Sequence, residues 1–96
     1  MSALNRTRAL KPMNDTEMAA LAATLEAELT DRYGPMLEPT ALRLVLGYAS
    51  ADAFRLAVSR KTIPVPVFKI PNRRGYFALT KEVARWLATA RSQGGL

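Results

Sequence analysis

The sequence contains no cysteine and no histidine. The first absence excludes disulfides, thiolate nucleophiles and cysteine-ligated zinc. The second removes the commonest metal ligand and the usual general base near neutral pH. No apolar run approaches the length of a membrane span, and the N-terminus lacks the continuous apolar stretch of a signal peptide. A cytoplasmic protein with no membrane partner is the expectation. A further lack is local: from Arg55 to Arg74 there are six basic residues and not one acid.

What is present is a chain of 96 residues, 49% of them apolar, with a net charge of +6. That length suits one domain with one core. The apolar fraction is too high for a chain that must stay disordered. The charge is unevenly spread. Met1 to Tyr48 holds five basic and six acidic residues, whereas Ala49 to Leu96 holds nine basic and two acidic ones. An acid-free basic stretch creates a local positive field that favours a polyanionic partner. A solvated, solubilising surface explains the same charge equally well.

Residues 1–13 read as a flexible basic tail, with Arg6, Arg8, Lys11 and Pro12. A helix is expected over 14–33. Asn14 and Glu17 have capping-box spacing, and Met18, Leu21, Ala22, Leu25 and Leu29 recur at helical intervals. Tyr33-Gly34-Pro35 ends it. Its polar face, with Glu17, Glu26, Glu28 and Asp31, is unsuited to phosphate. The stripe of Met18, Leu21, Leu25 and Leu29 either covers the core or meets a partner, a second copy included.

A second helix runs from Pro39 to Leu46, with Pro39 in its first turn and Gly47 as a left-handed end. Ser50 then caps a third helix through Arg60. Its inward face is Ala53, Phe54, Ala57 and Val58; Arg55, Ser59 and Arg60 face outward. Pro64 and Pro66 exclude helix. Val65 to Ile70 reads as an edge strand, Pro71 to Gly75 as a turn and Tyr76 to Ala78 as a return strand, a small β-hairpin in a mainly α chain. Thr80 is expected to cap a last helix that buries Val83, Trp86, Leu87 and Ala90, leaving 93–96 as a flexible end.

Leu37-Glu38-Pro39, Leu42, Val45-Leu46-Gly47, Ser50, Phe54, Arg60 and Ile63-Pro64 follow one another in an order seen elsewhere. The basic turn, Tyr76, Thr80, Val83 and Trp86-Leu87 complete it. In this order and spacing, the stretch from Leu37 to Leu87 resembles the winged helix-turn-helix modules of phage excisionases and mercury-resistance-type (MerR-like) regulators. The resemblance implies a winged helix-turn-helix fold of two helices, a two-stranded wing and a closing helix, which with the 14–33 helix makes the order helix, helix, helix, wing, helix. It implies a single domain over 14–92, to which the 14–33 helix is an addition. It makes 51–60 the recognition helix and 65–78 the wing, with Arg73 and Arg74 at the wing tip and Trp86-Leu87 packing the last helix on the core. Ala57 and Arg43 depart from the residues usual at those places.

On that reading the partner is double-stranded DNA, bound by a small transcriptional regulator or an excisionase-like architectural factor, with a homodimer or cooperative assembly as a further expectation. Arg55 is the leading base reader, since arginine meets guanine O6 and N7 with two hydrogen bonds in the major groove. Ser59 is a second candidate. Arg60, Lys61, Lys69, Arg73 and Arg74 suit the backbone or a narrow groove. Each has an ordinary surface role as well: Arg55 can pair with Asp52, and cations suit the end of the third helix. Phe54, Tyr76, Phe77 and Trp86 allow base stacking, but Phe54 and Trp86 sit on apolar helical faces and belong to a core. The rival function is a protein-interaction adaptor working through the N-terminal helix. An enzyme is not expected: Asp52 and Glu82 each open a helix, and no carboxylate cluster or Ser-Lys pair stands out. No metal, cofactor or small-molecule ligand is expected.

Overall fold

Asn14 and Glu17 close the capping box that starts the first helix. Glu17 N–H donates to Asn14 Oδ1 at 2.8 Å, and Asn14 N–H donates to Glu17 Oε1 at 3.0 Å. The computed structural model describes residues 13–94. Within them α1 spans Asp15–Tyr33, β1 Met36–Leu37, α2 Pro39–Leu46, α3 Ala51–Ser59, β2 Ala78–Leu79 and α4 Thr80–Gln93. The described residues are thus mainly helical, with four helices and one two-stranded antiparallel sheet. Among the described residues no helix is long and apolar enough to cross a membrane.

The local rules hold at most boundaries. Pro39 opens α2, where its missing N–H costs nothing. Gly47 closes it at φ +89°, with Tyr48 N–H donating to Arg43 O and Gly47 N–H to Leu44 O. Ser50 Oγ accepts from Ala53 N–H at 3.0 Å and starts α3 after a short turn. The same two-bond closure ends α3, from Thr62 N–H to Ala57 O and from Lys61 N–H to Val58 O. Its left-handed position is filled by Lys61, at φ +58°, where glycine is usual.

The sheet differs from the expected hairpin. Ala78–Leu79 pairs with Met36–Leu37, in the register Met36 to Leu79 and Leu37 to Ala78. Val65–Ile70 does not form a strand, and between it and the return segment there is a single antiparallel bridge, Phe68 to Phe77. The reason lies in its composition. Pro64 and Pro66 lack donors, and Val65 turns into the core at 6% exposure instead of standing in a ladder. The two-stranded wing is therefore a loop over 64–77, pinned at Phe68 and Phe77, whose rings stack 6.4 Å apart.

Thr80 is a second correction. It is the first residue of α4, not its cap; Leu79, held extended by the sheet, takes the cap position without a side-chain bond. The buried Thr80 hydroxyl donates to Gly34 O at 2.7 Å and its N–H to Pro35 O at 3.0 Å, tying the start of α4 to the end of α1. At the far end Met13 N–H donates to Ser92 Oγ at 3.1 Å. The two helices are therefore antiparallel and packed along their length.

The core gathers Leu37, Leu42, Phe54, Val65, Ala78 and Val83, with Trp86 and Leu87 packed on it from α4. Burying a leucine fully contributes about 2 kcal/mol, and Leu37 and Leu42 are fully buried. Helix α4 has a second buried face, Ala84, Ala88 and Ser92. These recur every four residues, and their small side chains let α1 lie close. Met18, Leu21, Leu25 and Leu29 are half-buried, on a helix that packs along α4. Residues 1–12 of the expected tail, and 95–96 of the expected flexible end, lie outside the described residues; Gln93 belongs to α4.

Candidate nucleic-acid interface

Arg55 follows Phe54 in α3, and that succession sets its direction. Phe54 points into the core at 5% exposure, so its neighbour leaves on the flank facing the 64–77 loop. The loop returns cations to meet it. A cleft of about 580 Å³ lies between α2, α3 and the loop, and Arg43, Arg55, Lys69, Arg73 and Arg74 all line it, with no acid in its wall. Pro39, Gly75 and Tyr76 also line it. Four of these five cations are sequence candidates drawn from positions nineteen residues apart.

Individual contacts orient the cations. Arg55 pairs with Asp52, one turn earlier, through Nη2 and Oδ1, and both side chains are well exposed. Arg73 reaches Glu38, just ahead of α2, at 3.4 Å, and its guanidinium lies 5.2 Å from the Phe77 ring centre. Lys69 Nζ lies 5.2 Å from the Tyr76 ring centre. Arg74 is exposed and forms no ion pair among the described residues. Exposed pairs contribute between nothing and about 1 kcal/mol, so these contacts aim the side chains more than they stabilise the fold. A phosphate oxygen can replace either carboxylate at little cost.

Arg43 was not among the expected site residues. Its Nη1 donates to Tyr48 O at 3.0 Å, bracing the α2–α3 turn, and the residue also lines the cleft. Tyr48 in turn meets Phe54 edge to face, with ring centres 5.6 Å apart. The available signal was position: Arg43 stands one helical turn after Pro39 and shares its face.

The other candidates fall elsewhere. Ser59, Arg60 and Lys61 are exposed at the C-terminal end of α3, outside the cleft wall. They extend the basic surface along α3. Asp52, Leu56 and Ser59 occupy the outermost face of α3, opposite Phe54 and Val58. Phe77 is 1% exposed and Phe54 5%, which rules both out as stacking platforms. Tyr76 is half-buried at the cleft. Among the described residues no group of three acids could hold a metal ion.

No protein-family model, characterised protein or solved structure matches this chain.

Proposed function

We propose that this chain is a winged helix-turn-helix DNA-binding protein, related in kind to the excisionase and mercury-resistance-regulator modules. One observation carries the reading: five cations from α2, α3 and the 64–77 loop line one cleft beside the exposed face of α3, and two of them, Arg55 and Arg73, have an acid partner at its edge. A solubilising surface has no need of such convergence, whereas a duplex presents two rows of phosphates that match it.

The mechanism follows from the layout. Helix α3 enters the major groove with its outer face toward the base edges. Arg55, steadied by Asp52, offers its paired donors to a guanine, and Ser59 sits on the same exposed surface. Arg60 and Lys61 at the helix end meet one backbone strand. The loop then acts as the wing, short of regular pairing but fixed by Phe68 and Phe77. Lys69, Arg73 and Arg74 meet backbone or minor groove. A regulator of transcription and an architectural factor in recombination share this chemistry, and a second copy on adjacent DNA strengthens either.

The adaptor reading rests on the α1 stripe. Since Met18, Leu21, Leu25 and Leu29 are half-buried on a helix that lies along α4, the stripe favours that reading less than its spacing alone does.

The test is selection from a random duplex library at moderate salt. Enrichment of a short motif containing a guanine supports the proposal. Recovery of no duplex above background, even at low salt, sinks it.

A further inference from the structure

Leu56 is 49% exposed, and Leu44 is the other large apolar residue exposed to that degree among the described residues. An isolated exposed leucine needs no explanation in general; its place here supplies one. At 3.6 residues per turn, Leu56 stands about 40° from Asp52, about 60° from Ser59 and about 160° from the buried Phe54. It is therefore on the outermost face of α3, between polar neighbours, where solubility alone favours another polar residue. Arg55 lies about 100° to one side, so the two side chains reach toward different base pairs.

We infer that Leu56 is a specificity-determining residue that reads the C5-methyl group of a pyrimidine in the major groove, next to the guanine met by Arg55. The inference rests on the DNA-binding reading above. The C5-methyl is the one apolar group that a base pair displays on its major-groove edge, and a leucine side chain has no donor or acceptor to offer any other feature there. Water leaves both surfaces when they meet, which favours the methylated base over its unmethylated counterpart. The chemistry is shared by thymine and 5-methylcytosine. Each pairs with its own purine, so the target sequence separates them.

The experiment starts from the best duplex of the library selection and measures binding by fluorescence anisotropy. Each thymine is replaced singly by uracil, which removes only the methyl group, and each cytosine singly by 5-methylcytosine, which adds it. For the unsubstituted protein, one such methyl is expected to change affinity about fourfold, the effect of one buried methyl group. Leu56→Ala, a change at an exposed position, is expected to stay folded and to lose that dependence. Leu44→Ala, which trims the other exposed leucine on α2, is expected to retain it. A response at a thymine assigns the contact to thymine; a response at a cytosine assigns it to 5-methylcytosine. If Leu56→Ala responds to every methyl as the unsubstituted protein does, the inference is overturned while DNA binding stands. If no duplex binds at all, both fall.

Discussion

The backbone of Gly75 lies directly against the ring of Pro39: a Cβ placed on Gly75 would stand 2.5 Å from Pro39 Cγ. Gly75 also has φ +84°, a conformation that side chains resist. This contact seats the tip of the 64–77 loop on the start of α2 and so closes the basic cleft. Gly75→Ala should destabilise the fold by about 2 kcal/mol, through left-handed strain and the clash together. Urea unfolding checks it; an unchanged midpoint would show that the loop is not seated on α2.

Glu38 holds Arg73 from the other side of the same junction. Removing its charge while keeping its size frees the guanidinium and takes an acid away from the phosphates. Glu38→Gln should tighten binding to random duplex about threefold at low salt, with the gain fading as salt screens the field. Stability should move by less than about 1 kcal/mol, since the pair is exposed. Equal or weaker binding at low salt counts against a phosphate near Arg73.

Lys61 occupies a left-handed position, φ +58°, that glycine fills at lower cost. Lys61→Gly should raise stability by about 1 kcal/mol, the ordinary penalty of a side chain there. The same change should weaken DNA binding by the loss of one phosphate contact. Thermal melting and anisotropy on one sample read both. A variant that is more stable and binds equally well removes Lys61 from the interface.

Arg55 and Arg74 should fail in different ways. Arg55→Ala should relax preference at one base pair by about 1–3 kcal/mol. Arg74→Ala should weaken all duplexes alike and lower the salt slope by about 1. Repeating the library selection with each variant separates them. A uniform loss for Arg55→Ala makes it a phosphate contact.

Much of the helical layout is legible in the sequence because its signals are local. Asn14 with Glu17, Pro39, Gly47 and Ser50 act within one turn of chain, and each is found where its spacing puts it. The sheet was not legible. Met36 and Leu37 are two residues between a proline and a glutamate, and they become a strand only because Ala78 and Leu79, some forty residues on, lie beside them. Thr80 illustrates the same limit: a threonine before a helical pattern reads as a cap, yet its hydroxyl is drawn to Gly34 by the packing of α1 on α4. The second buried face of α4 was hidden for a related reason. Ala84, Ala88 and Ser92 are too small to register as a stripe until α1 is laid over them. At the candidate site, the charge of Arg55, Lys69, Arg73 and Arg74 was visible as a stretch, but their convergence depends on the Gly75–Pro39 contact, and Arg43 joins them only through the fold.

The most direct measurement is the affinity for a duplex of fixed sequence at a series of salt concentrations. Each phosphate neutralised contributes about −0.9 to the slope of log K against log salt. With three to five cations of the cleft and of the α3 end engaged, the slope should lie between about −3 and −5, and it should become shallower when Arg73 and Arg74 are both replaced by alanine. Binding that does not depend on salt, a slope untouched by that double replacement, or no binding at low salt would each show that the basic cleft is not a DNA-binding surface.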